Sequence, residues 1–214
     1  MRVYKFRTAK RALEIIRDKR IKISKISELN DPFEFMAPAL RKRSDRNAWK
    51  EMRNRLASNR GVICFSSSWE NPVLWSHYGD SHKGVALGFD VRDEFLADVV
   101  YEPERLTVND ITQLSDNQKF NLVEKAFRTK FMHWKYESEL RLFTSLTEER
   151  DGQFFMELGE DLQLKEVILG ANSAVERNEI ENAWGGSQDL EIVTARLAFK
   201  SFKVVKQLNP AFQR

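Results

Sequence analysis

Trp134-Lys135-Tyr136-Glu137-Ser138-Glu139-Leu140-Arg141 is the stretch that decides how the second half of the chain is read. Taken as a strand, its side chains alternate between faces, so Lys135, Glu137, Glu139 and Arg141 line one side and Tyr136, Ser138, Leu140 and Leu142 the other. The stretch follows a helical pattern from Asn109 to Met132, with Val123, Phe127 and Phe131 at four-residue spacing. Strand-like Gln153–Glu157 and Leu164–Leu169 come after it. Strands that succeed one another through short turns, without regular strand-helix-strand alternation, predict an α+β fold. The expected architecture is a single domain over 1–214 with a split or mostly antiparallel central sheet flanked by helices. The charged face has two readings. Two carboxylates bracketed by cations stay ionised and can grip a hydroxyl or stabilise a developing positive charge. Alternatively, the four charges form a solvated face whose pairs contribute a few tenths of a kcal/mol each.

Working outward, Val3 to Phe6 reads as a strand and Thr8 as the cap of a helix reaching about Arg20, with Ala9, Leu13 and Ile16 inward. Ile21 to Ser24 and Gly61 to Phe65 are strand-like, and Leu29 to Glu34 is a turn set by Pro32 and the Asx residues before it. Asn71-Pro72 opens a short helix that Gly79 stops. Lys83 to Asp90 and Ala97 to Tyr101 read as strands. Ser173 to Trp184 reads as a helix ended by Gly185-Gly186, and Leu190 to Arg196 and Phe202 to Val205 as closing strands.

Of the 214 residues 42% are hydrophobic and 31% charged, the composition of a folded globular protein. No apolar run approaches a membrane span, and the N-terminus lacks a signal core, so no membrane partner is expected. Cys64 is the single cysteine; with no internal disulfide possible, the expected location is cytoplasmic. It sits in the apolar run Val62-Ile63-Cys64-Phe65, which reads as a buried, inert thiol rather than a nucleophile. The net charge of +3 is uneven: Arg41, Lys42, Arg43, Arg46, Lys50, Arg53, Arg55 and Arg60 stand against Asp45 and Glu51 alone in 41–60. That basic helical element is either a solvated face or a surface for nucleic acid, nucleotide phosphates or an acidic partner, with Arg46, Lys50, Arg53 and Arg55 as the contacting residues.

Trp69 to Asp90 concentrates Trp75, Ser76, His77, Tyr78, His82 and Lys83 on one short helix and the loop after it. Such a cluster makes either an aromatic core seam or a pocket, in which aromatics stack on a flat ring while His, Ser and Lys hold polar groups. No glycine-rich phosphate loop occurs. The three histidines, His77, His82 and His133, lack zinc-site spacing, so no metal is expected.

Several segments together resemble a large uncharacterised bacterial family, domain of unknown function 2971. They are Val3-Tyr4-Lys5-Phe6, Ser27 to Glu34, Phe65-Ser66, Leu74-Trp75-Ser76-His77-Tyr78, Lys83-Gly84-Val85, Gly88-Phe89-Asp90, Trp134 to Arg141 and Val167-Ile168-Leu169-Gly170. A more remote resemblance is to ADP-ribosyltransferases that modify arginine. Their aromatic-Arg, Ser-Thr-Ser and Glu-x-Glu motifs are matched in order by Phe6-Arg7, Ser66-Ser67-Ser68 and Glu137-Ser138-Glu139, with Ser67 in place of the Thr; an alternative alignment sets Tyr4-Lys5 against the Tyr-His of other members, with Lys5 in place of the His. This resemblance implies an ADP-ribosyltransferase-like fold and NAD, or another nucleotide, as substrate. It implies an enzyme that transfers ADP-ribose or hydrolyses NAD, a toxin or phage-defence component with a protein or nucleic-acid acceptor. Glu139 would stabilise the ribosyl cation, Glu137 would orient or deprotonate the acceptor, and His77 joins them as a catalytic candidate. Tyr4, Lys5, Arg7, Ser66, Trp75, Tyr78, Lys83 and Arg141 would hold the nucleotide, with Trp75 or Tyr78 stacked on nicotinamide and Arg141 keeping Glu139 ionised.

Two other functions fit the residues. The basic segment 41–60 suits a non-enzymatic nucleic-acid- or protein-binding module. Asp31, Glu34, Glu137 and Glu139, with Lys83 or Lys135 nearby, suit a magnesium-dependent nuclease.

Overall fold

The computed structural model describes residues 1–213 apart from 32, 109, 148 and 186–188, with the backbone alone at 56. Along the chain run β1 (Arg2–Arg7), α1 (Ala9–Asp18), β2 (Arg20–Lys25), α2 (Arg43–Ala57), β3 (Arg60–Ser66), α3 (Pro72–Tyr78), β4 (Val85–Val91) and β5 (Leu96–Asp98). There follow α4 (Asp116–Phe127), β6 (Glu139–Ser145), β7 (Gln153–Glu157), β8 (Leu162–Leu169), α5 (Arg177–Trp184), β9 (Glu191–Leu197) and β10 (Val204–Lys206).

The main sheet has the order β7-β2-β3-β1-β4-β8-β9-β10, with β6 laid along β3 and β5 along β6. Its pairings are antiparallel except β8 with β9. The fold is therefore α+β with a mostly antiparallel sheet, as the strand succession implied. The sheet is split at β3. One edge of β3 pairs with β6 from Glu139↔Ser66 to Ser145↔Arg60. The other edge meets β2 at Ser24↔Val62 and Lys25↔Gly61, and β1 at Tyr4↔Ser66 alone. Between those contacts β1 and β3 part.

One sheet face packs Val3, Ile63, Phe65, Leu87, Leu140 and Leu142 under α1 and α5. On the other face Leu74 and Trp75 of α3 pack on Phe6, Ala86, Ile168 and Val193. A further core joins Phe35, Trp49, Ile111, Val123 and Phe127 beneath α2 and α4. Local chemistry starts the helices as expected: Thr8 accepts from the Arg11 N–H and Asn71 from that of Val73, ahead of Pro72.

Several elements differ from the sequence reading. Trp134 to Arg141 is not one strand. Met132–Glu137 forms a 3-10 helix, Ser138 turns left-handed at φ 44°, and β6 starts only at Glu139. Tertiary anchors override the β pattern: the Tyr136 carbonyl accepts from Asn71 Nδ2 at 2.8 Å, and the Glu137 carboxylate from the Tyr78 hydroxyl at 2.5 Å. The helix expected over Asn109–Met132 is shorter. It begins after a Ser115–Gln118 capping box and ends at Phe127. Thr129–Phe131 instead pairs in parallel with Val100–Glu102, which leaves Phe131 half-exposed while Val123 and Phe127 stay buried. Asn109 lies outside the described residues. The strand expected over Ala97–Tyr101 is divided between two sheets.

The helix expected from Ser173 begins at Arg177, because Ser173 Oγ and Glu176 hold the chain in turns before it. Gly185 ends it at φ 91°; Gly186 is outside the described residues. In α1 the inward residues are Ala12, Ile15 and Ile16, with Ala9 and Leu13 partly buried, and Lys19 ends the helix left-handed. The Leu29–Glu34 turn is present, with Asp31 Oδ1 accepting from the Phe33 N–H at 2.8 Å; Pro32 is outside the described residues. The basic helix stands as α2, the longest of the described helices.

Candidate active site

Where β1 and β3 separate, a cleft of about 210 Å³ opens. Lys5 and Arg7 line it from β1, Ser66 from β3, Tyr78 from α3, and Glu137 and Glu139 from the segment entering β6. The register explains the convergence. Tyr4, Ser66 and Glu139 stand side by side on β1, β3 and β6, and the Ser67 N–H donates to the Ser138 carbonyl at 3.0 Å. The serine run and the Glu-Ser-Glu run, 71 residues apart in sequence from Ser67 to Ser138, are thereby stitched together.

Behind Glu139 lies a buried ion network. Lys130 Nζ is 2.6 Å from Glu137 Oε2, 3.0 Å from Glu139 Oε2 and 3.3 Å from Glu34 Oε1. Arg141, fully buried, donates from Nε to Glu139 Oε1 and from Nη2 to both oxygens of Glu34, each at 2.8 Å, and from Nη1 to the Phe127 carbonyl. Burial pushes the Glu139 carboxyl up, but Arg141 and Lys130 more than offset it and hold it down at about 2. For Glu34 burial wins and the carboxyl is raised. Lys130 is raised despite its burial because Glu139, Glu34 and Glu137 surround it. The Tyr101 hydroxyl accepts from the Glu139 N–H at 2.8 Å.

The facing wall is cationic. Lys5 Nζ donates to the Cys64 carbonyl at 2.6 Å, a strand carbonyl exposed where the ladder stops. Burial, with Arg7 beside it, pushes the Lys5 ammonium down to about 7. Arg7 donates to its neighbour's carbonyl at Phe6, and burial lowers its guanidinium to about 10. Among the described residues neither makes a carboxylate ion pair, in contrast to Lys130 and Arg141. Cys64 is pushed up to about 12 by burial and by Glu139, which makes it a poor nucleophile.

The cleft gathers Tyr4, Lys5, Arg7, Ser66, Tyr78, Glu137 and Glu139. It does not gather four other candidates. Trp75 is fully buried, its ring edge-on to Phe6 at 5.0 Å and its Nε1 donating to the Trp69 carbonyl, so it cannot stack on a ligand. Lys83 is exposed in the turn after α3, away from the cleft. His77 is exposed and bonded to the Tyr136 hydroxyl at 3.0 Å. Arg141 does hold Glu139 ionised, but from behind it, with no face toward the cleft. Tyr78 does border the cleft, its hydroxyl joining Asn30 at 2.9 Å to Glu137.

The acids proposed for magnesium do not share an open centre: Glu34, Glu137 and Glu139 close on the Lys130 ammonium, while Asp31 caps its own turn. Lys83 and Lys135 take no part in that network.

Lys130 escaped the sequence reading because it was assigned to the end of the long helix. The one signal for it was its place between the two aromatics of Phe127-Arg128-Thr129-Lys130-Phe131, which Arg128 shares and which therefore does not single it out. Arg46, Lys50 and Arg55 are exposed on α2 and Arg53 partly so, outside the cleft.

No curated protein and no solved structure matches the chain. Residues 74–142, which run from α3 through the Glu137-Ser138-Glu139 turn into β6, match the family described as protein of unknown function (DUF2971).

Proposed function

We propose that the cleft binds NAD and that the protein breaks its nicotinamide–ribose bond, passing the ADP-ribosyl group to an acceptor or to water. The observation that carries this reading is the polarity of one cleft: two cations that make no carboxylate ion pair among the described residues on the β1 wall, and the ionised Glu139 carboxylate on the other. Lys5 and Arg7 suit the pyrophosphate. Cleavage leaves the bonding electrons on the ring nitrogen, neutral nicotinamide departs, and a ribosyl oxocarbenium remains. Glu139 stabilises that charge from a fixed position, at no reorganisation cost because Arg141 and Lys130 already hold it. The acceptor attacks the anomeric carbon and gives its proton to Glu137. Of the two stacking candidates, Tyr78 borders the cleft and Trp75 does not, so Tyr78 takes the place beside the ring. A cleft of this volume is below the range for whole drug-sized ligands and takes one end of a dinucleotide.

Nicotinamide release, followed by chromatography with cell extract as acceptor source, tests the reading. Wild type should release nicotinamide, and Glu139→Gln, checked for folding by thermal melting, should lose about a hundredfold or more of that rate. Folded wild type that releases none, or a mutant with an undiminished rate, overturns it.

A second reading is favoured by α2. Among the described residues Arg43, Arg46, Lys50, Arg53 and Arg55 make no carboxylate ion pair, whereas Lys42 pairs with Asp110 at 2.8 Å. A cationic face left unpaired suits a polyanionic partner or acceptor.

A further inference from the structure

We propose that Lys5 is a covalent capture point for phosphorylated aldoses, its side-chain amine condensing with the sugar's open-chain aldehyde while Arg7 holds the phosphate. The inference goes beyond NAD cleavage and does not require it.

Lys5 and Arg7 are two apart on β1 and both line the cleft. Lys5 is 7% exposed. Among the described residues its Nζ makes one hydrogen bond, to the Cys64 carbonyl at 2.6 Å, and it lies 5.6 Å from the centre of the Phe65 ring. The nearby Glu139 carboxylate is already committed to Arg141 and Lys130. A lysine desolvated in this way, beside a second cation and with no carboxylate ion pair among the described residues, has its ammonium pushed down to about 7, so that at neutral pH a share of it is the free amine with an available lone pair. Surface lysines, solvated and protonated, offer none.

In the reaction the Nζ lone pair attacks the carbonyl carbon and forms the C–N bond of a carbinolamine. Loss of the oxygen as water, which carries off both amine hydrogens, leaves the imine. No oxidant or reductant is consumed. The Tyr78 hydroxyl, held by Glu137 on the same cleft, is placed to pass protons. Arg7 makes the site selective: a guanidinium without a carboxylate partner prefers an aldehyde that brings a phosphate. Free sugar phosphates and ADP-ribose, whose terminal ribose opens to an aldehyde, share this chemistry.

The full chain is incubated at pH 7.5 with ribose 5-phosphate, ADP-ribose or plain ribose, each with sodium cyanoborohydride to reduce the imine. Peptide mapping by mass spectrometry then reads which lysines are alkylated. Ribose 5-phosphate or ADP-ribose should label Lys5 at least tenfold faster than exposed lysines such as Lys200, and plain ribose should label it at less than a tenth of that rate. The faster of the two phosphorylated probes identifies the source. Arg7→Gln should bring the phosphorylated probes down to the rate of ribose. Lys5 labelled no faster than Lys200, or labelled equally by ribose, overturns the proposal. Nicotinamide release without Lys5 labelling defeats this inference and leaves the NAD reading standing; labelling without nicotinamide release does the reverse.

Discussion

Arg141 is the residue on which the others depend. Its guanidinium satisfies Glu34, Glu139 and a helix-end carbonyl at once, entirely out of water. Removing one partner from a buried network strands the charges left behind. Arg141→Met should therefore cost about 3–5 kcal/mol, seen as a melting temperature lower by about 10 °C. Glu139 adds a pH signature. Its folded-state carboxyl titrates near 2, below an unfolded value of about 4.3. The stability it contributes is present above that unfolded value and is lost as pH falls toward 2. Urea unfolding at pH 5 and pH 3 should show the gap between wild type and Glu139→Gln narrowing in acid. At this scale the sequence was informative about charge and silent about depth. The pairing of Glu139 with Arg141 follows from strand spacing, but Glu34 joins them from 107 residues away, which no local pattern encodes, and Lys130, nine residues before Glu139, reaches it only because the chain folds back through the 3-10 turn. Trp75 misled for a related reason: an aromatic at helical spacing reads the same whether it faces a ligand or Phe6.

Among the elements, α3 shows why local rules worked where they did. Its cap, its proline and its terminal glycine are all local chemistry, and all three were readable. Asn71 does more than cap. Its Oδ1 accepts from the Val73 N–H while its Nδ2 donates to the Tyr136 carbonyl, tying α3 to the turn that aims Glu137. Asn71→Ala should thus cost about 1–2 kcal/mol, at or above an ordinary cap. It should also slow nicotinamide release, because Tyr78 and Glu137 lose their common anchor. An unchanged rate alongside lower stability would confine Asn71 to capping. The Trp134–Arg141 stretch shows the opposite case. Alternating charges have the period of a strand, yet Glu137 leaves it because Tyr78 and Lys130 bind its carboxylate more strongly than a ladder would hold its backbone.

Taken whole, the molecule separates its charges. The cations of α2 lie outside the cleft and its chemistry. Neutralising Arg46, Lys50 and Arg55 together should lower the salt needed to elute the protein from a heparin column and weaken the salt dependence of any nucleic-acid binding. Nicotinamide release without a macromolecular acceptor should not change. Elution at unaltered salt would make α2 a solvated face and nothing more. The antiparallel α+β reading held at this scale, but the order of the strands was not legible: of the labelled strands β9 and β10 alone form a short hairpin, and the other neighbours meet across long connections. The split itself was expected only in outline, since register is a property of pairs of strands. That split has a mechanical consequence. As a backbone pairing, Tyr4↔Ser66 is the single rivet between two plates, one made of β1, β4, β8, β9 and β10 and the other of β2, β3, β5, β6 and β7, with the Lys5 bond to the Cys64 carbonyl and a shared apolar core as the other links. The spacing of the plates there is also the width of the cleft. A molecule that bridges Lys5 and Arg7 on one plate to Glu139 on the other acts as a second rivet, and stiffens the whole sheet by filling a gap at its centre.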